Sequence, residues 1–102
     1  MKNVAIFGRT IEVAIKFLDN LILNILREDI KAITSSVDSC IIETIDETIK
    51  YRAFTYSSDT TGAKYYKVYI DRLIRQDYII YNIYPGIHRD NYNNDKEFVI
   101  YY

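Results

Sequence analysis

Apolar residues change their spacing along this chain, and each change marks an element. Val4-Ala5-Ile6-Phe7 is a continuous apolar run closed by Gly8, the pattern of a central strand covered on both faces. Gly8-Arg9-Thr10 reads as a tight turn with Thr10 as N-cap. From Ile11 to Arg27 the period lengthens. Ile11, Ala14, Ile15, Leu18, Leu21, Ile22, Ile25 and Leu26 form one helical stripe, while Lys16, Asp19, Asn20, Asn24 and Arg27 fall largely opposite. This predicts a helix of about four to five turns.

The remainder reads mostly as strands. Ile30–Thr34 is a short strand and Ser35–Ser39 a loop. Cys40, Ile42 and Thr44 alternate with Ile41, Glu43 and Ile45, and a second run follows from Thr48 to Phe54. That is a hairpin pattern with Asp46-Glu47 in the place of a two-residue turn. Ser57–Gly62 is a loop, and Lys67–Asp71 is a β-branched and aromatic strand ending in a carboxylate. Leu73–Tyr84 predicts a short helix stopped by Pro85-Gly86; Arg89–Lys96 is polar, and Glu97–Tyr102 is a last strand. The order β-α-β-(β-hairpin)-β-α-β predicts an α/β fold, a single-domain mixed-sheet sandwich over residues 1–102 with one long and one short helix. A parallel pairing across the long helix calls for a right-handed crossover, which that helix supplies.

Composition narrows the function. The chain has 102 residues, which fits one domain, and 49% of them are hydrophobic, enough to build a core. With 13 basic and 14 acidic residues it lacks the strong positive charge of a general nucleic-acid binder and the negative charge of a DNA mimic. One Cys excludes an internal disulfide, and one Cys with one His leaves no Cys/His zinc set. No run approaches the ~20 apolar residues of a membrane span or forms a signal peptide. A cytoplasmic, reduced location is therefore expected, the host cytoplasm if the chain is viral. The abundance of Ile, Tyr, Lys and Asn beside few Ala, Gly and Pro points to an AT-rich genome.

The succession of motifs resembles a known family. A strand ending Ile6-Phe7-Gly8-Arg9-Thr10 opens an amphipathic helix, the hairpin Ile41–Phe54 follows, and Gly62-Ala63-Lys64 leads into the strand Lys67-Val68-Tyr69-Ile70-Asp71. This resembles the middle of a phage large-terminase or helicase-type ATPase core, over roughly residues 4 to 85. The resemblance implies that Asp71 corresponds to the Walker B aspartate that holds Mg²⁺, and that Gly8-Arg9-Thr10 lies near nucleic-acid backbone. Two departures oppose ATP hydrolysis by this chain alone. The phosphate loop Gly-x-x-x-x-Gly-Lys-[Ser/Thr] is missing, and Arg72 stands where the family has its catalytic glutamate. The resemblance thus implies a truncated, catalytically dead module.

The candidate residues each have a plain structural reading beside the functional one. Gly8-Arg9-Thr10 at a helix N-terminus suits an anion, but also an ordinary capped turn with a solvated Arg. Asp71 suits a relic metal site, but more often a strand-end Asp is a turn residue. Cys40 fits a small core position and His88 a surface loop. The eleven tyrosines are the unusual feature. Tyr65, Tyr66 and Tyr69 cluster before Asp71, and Tyr78, Tyr81 and Tyr84 recur at three-residue spacing, as core or as contact surface.

The first functional expectation is a small non-enzymatic interaction protein of phage or mobile-element origin, binding and modulating or inhibiting a host or viral protein. Its contact surface would comprise Arg9, Thr10, Tyr65, Tyr66, Tyr69, Arg72, Arg75, Tyr78 and Tyr81. A second expectation is nucleic-acid or nucleotide binding through Arg9, Thr10, Lys64, Lys67, Arg72 and Arg75, which requires these cations to gather on one face. A third is a catalytically incomplete subunit of a split packaging-type ATPase. No cofactor, metal or membrane partner is expected, and strand pairing through Phe98–Tyr102 offers a route to a homodimer.

Overall fold

The computed structural model describes residues 2–25, 28–55, 64–79, 83 and 99–102. Its elements are β1 (Lys2–Gly8), α1 (Ile11–Leu23), β2 (Ile30–Ser35), β3 (Ser39–Thr44), β4 (Thr48–Thr55), β5 (Lys67–Ile70), α2 (Gln76–Tyr78) and β6 (Val99–Tyr101). The strands form one mixed sheet in the order β2-β3-β4-β1-β5-β6. β1 pairs in parallel with both β4 and β5, and β5 with β6. β2, β3 and β4 form an antiparallel meander.

The continuous apolar run of β1 is explained by its central place. Val4 and Ile6 face α1 and join Ala14, Leu18, Cys40, Ile42, Ile49, Ala53 and Tyr69. Ala5 and Phe7 face the other way, with Tyr65, Val68, Ile70, Ile74, Ile79, Ile83 and Val99. A strand whose alternate side chains enter different cores must be apolar at every position. α1 therefore covers one face, and the segment around α2 lies over part of the other.

Four expectations shift. The long helix stops at Leu23, where Asn24 takes the C-cap: its backbone N–H and its side-chain amide both donate to the Asn20 carbonyl, at 3.2 and 2.7 Å. The hairpin connection is Ile45–Glu47, three residues long. Thr44 replaces the missing glycine chemistry there. Its hydroxyl donates to the Glu47 carbonyl at 3.0 Å and accepts the Glu47 N–H at 3.1 Å, so this buried polar side chain is satisfied. The strand reached through α1 is not a neighbour of β1. β2 is the outermost strand, separated from β1 by β3 and β4, because Ile30–Ser35 carries too few apolar residues to be covered on both faces. Within the described residues the second helix starts at Gln76 rather than Leu73: Gln76–Tyr78 is α-helical, and Ile79 and Ile83 have π-helical backbone. The Ser57–Gly62 loop and the Arg89–Lys96 stretch lie outside the described residues. Among the described residues, no helix is long and apolar enough to cross a membrane.

Candidate functional site

The C-terminal ends of β1 and β5 are adjacent, and the chain departs from them toward opposite faces of the sheet, the position where open α/β sheets hold ligands. Gly8, Arg9, Thr10 and Asp71 meet there. Gly8 is required by space: a Cβ on it would lie 2.6 Å from the Thr10 carbonyl oxygen and 2.7 Å from the Ala14 nitrogen, both backbone atoms. Thr10 caps α1, its hydroxyl accepting the Val13 N–H at 3.3 Å.

Asp71 is 3% exposed, and its carboxylate is engaged by its own chain. Oδ2 accepts the Arg9 N–H at 3.1 Å and lies 3.5 Å from Arg9 Nε; Oδ1 accepts the Leu73 N–H at 3.0 Å. The positive end of α1 and the turn before it thus attract an anion supplied from within the fold. Arg9 is partly exposed yet paired, rather than simply solvated. Tyr102 closes the cluster, donating its hydroxyl hydrogen to the Phe7 carbonyl at 3.0 Å. Burial, and then the negative charge of Asp71, raise the Tyr102 phenol above its ordinary value near 10, while Arg9 opposes the rise.

The tyrosines do not make one surface. Tyr65, 5% exposed, lies edge-on to Phe7 and Phe54 on the face away from α1. Tyr69, 9% exposed, packs on Phe17 of α1 across the sheet. Strand alternation and the demands of two small cores separate them. Tyr66 and Tyr78 are on the surface, Lys2 lying over the Tyr66 ring. Tyr81 and Tyr84 fall outside the described residues, as does His88. Cys40 is a buried free thiol that accepts a hydrogen bond from the Ser35 hydroxyl at 3.5 Å.

The cations singled out in the sequence are also dispersed. Arg9 and Arg72 flank Asp71, Arg75 pairs with Asp77 at 2.9 Å in solvent, and Lys67 lies over the Tyr69 ring. A different set converges: Lys50 and Arg52 of β4 and Lys64 line one cleft of about 200 Å³ with Asn3, Phe54 and Tyr65. The signal was the alternation of Ile49, Tyr51 and Ala53 with Lys50 and Arg52, a strand apolar on one face and cationic on the other. A groove of about 370 Å³, which no sequence pattern signals, lies between α1 and the β2–β3 connection, lined by Leu18, Ile22, Leu23, Ser35, Ser39 and Cys40 among others. Leu23, in its wall, is 81% exposed, and Val37 of the β2–β3 connection and Ile33 of β2 are 80% and 51% exposed.

Comparison with known proteins shows a distant terminase-like fold. No family model matches the chain, and no curated protein matches it. A solved structure of the large terminase from a thermophilic bacteriophage superposes with a TM-score of 0.58 at 10% identity. The match covers 99% of this chain and 32% of that one, so the chain spans about a third of the length of the terminase.

Proposed function

We propose that this chain is a phage or mobile-element interaction module that docks on a protein partner through the β2 edge and modulates that partner without turning over a substrate. The observation that carries the reading is β2 itself. It is the outer strand of the sheet, five of its six residues are exposed, Ile33 among them, exposed Val37 follows it in the chain, and exposed Leu23 shares a groove with its last residue, Ser35. An edge strand offers a row of backbone donors and acceptors, and a partner strand laid along it can place an apolar side chain in the neighbouring groove. The terminase-like fold supports the phage origin.

The engagement of Asp71 supports a non-catalytic reading over a split ATPase. A carboxylate 3% exposed and bonded to the backbone of Arg9 and Leu73 braces two loops. To take a hydrated Mg²⁺ it would have to give up contacts that hold the fold.

The test is affinity purification from the native host, during infection if the chain is viral, with nuclease treatment and a high-salt wash. One stoichiometric protein should survive both with the natural chain. It should be lost with Ala32→Pro, which disturbs the row of backbone groups along the edge, or with Ile33→Glu. Retention of that protein by both variants would place docking elsewhere, and loss of every partner on nuclease treatment would overturn the protein-docking reading.

A further inference from the structure

Independently of the β2 edge, we propose that the cleft on the sheet face opposite α1 binds single-stranded nucleic acid, with its phosphates on Lys50, Arg52 and Lys64. The chain carries a net charge of −1, so three cations lining one small cleft, with no carboxylate among its described lining residues, are a sorted charge rather than a reflection of composition. Among the described residues, no carboxylate forms an ion pair with Lys50 or Arg52. The two side chains stand at alternate positions of β4, about 7 Å apart along the strand. That separation is comparable with the distance between successive phosphates of an extended strand. The contact is local and short-ranged, so it does not need the basic surface that the composition excludes.

The chemistry next to the cations selects a nucleic acid over an acidic peptide. Phe7 stacks on Phe54 with centroids 5.4 Å apart, and the Arg52 guanidinium sits over the Phe54 ring at 5.3 Å. Arg52 is exposed, so this tier ends in a supported guanidinium facing solvent. Guanidinium groups stack on nucleobases, which a carboxylate side chain cannot exploit. Asn3, also exposed at the cleft, supplies an amide that can donate to or accept from a base edge. A space of about 200 Å³ is on the scale of one nucleotide rather than of a duplex. The ligand is therefore a strand with free bases.

The test is fluorescence anisotropy of the full chain with a labelled oligothymidylate, with a duplex of equal length and polyglutamate as competitors. Binding in the range of about 10⁻⁴ to 10⁻⁶ M is expected, and a plot of log affinity against log salt should have a slope of about −2, as for three neutralised phosphates on a single strand. Lys50→Gln and Arg52→Gln should each weaken binding roughly tenfold, while Lys16→Gln, exposed on α1 across the sheet from the cleft, leaves it unchanged. Arg52→Lys, which keeps the charge and loses the plane, should also weaken it. Ultraviolet cross-linking of the natural chain, which depends on no variant, should mark peptides containing Phe54 or Tyr65. The proposal is overturned by a flat salt dependence, by preference for the duplex, by equal competition from polyglutamate, or by cross-links confined to other peptides.

Discussion

Tyr102 and Phe7, 95 positions apart, are joined by a hydrogen bond of 3.0 Å from the phenol to the backbone carbonyl. The same carbonyl accepts the Asp71 N–H at 2.9 Å, so both of its lone pairs are used. The Tyr102 ring also stacks on Phe17 of α1 with centroids 4.0 Å apart. One residue thus ties the central strand, the edge beyond β5 and the long helix together. Tyr102→Phe keeps the stack and removes the hydroxyl, and should lower stability by about 0.5 to 1.5 kcal/mol in urea unfolding.

The same phenol makes stability depend on alkaline pH. Tyr102 is raised above its ordinary value, so the folded chain keeps a proton that the unfolded chain has lost. Its contribution is fully present below about pH 10 and declines as the pH climbs through the raised value. Urea midpoints measured on either side of about pH 10 should fall less steeply for Tyr102→Phe than for the natural chain.

Asp71 and Arg9 should differ sharply when removed. Asp71→Ala strands two backbone N–H groups in a buried corner and should cost about 3 kcal/mol. Arg9→Ala removes a partly exposed partner and should cost about 1 kcal/mol or less. Added Mg²⁺ should leave the melting temperature of the natural chain unchanged. A clear rise that vanishes in Asp71→Asn would count for the metal-holding role of the resembled family.

Gly8→Ala should be damaging although it adds a single methyl. The new Cβ would sit under 3 Å from two backbone atoms that cannot swing aside, so β1 and the start of α1 must separate. A loss of about 1 to 3 kcal/mol is expected in urea unfolding. Ala5→Gly, which removes a methyl from the same strand, serves as the control of opposite sign in volume.

Thr44→Val keeps the shape of the hairpin residue and removes its hydroxyl. Glu47 then loses the acceptor for its N–H and a donor to its carbonyl, and about 1 to 2 kcal/mol should go with them. Faster amide exchange in Ile45–Glu47, with β1 unaffected, would locate the loss in the turn.

What the sequence determined by itself was local. The unbroken apolar run of Val4–Phe7, the stripe of α1, the Thr10 cap and the alternation of β3 and β4 each follow from the period with which side chains leave a strand or helix, and all are in the structure. The mixed sheet expected from their order is present as well. What tertiary structure decided was which side chains share a place. Tyr65 and Tyr69 look like one cluster in the sequence, yet the sheet puts them in separate cores. Lys64 is distant from Lys50 and Arg52 in the chain, yet it lines their cleft because β4 and β5 both flank β1. Asp71 gains the Arg9 turn as its partner for the same reason. Periodicity assigns a residue to a face of its own element; only the order of strands in the sheet determines which distant face lies beside it.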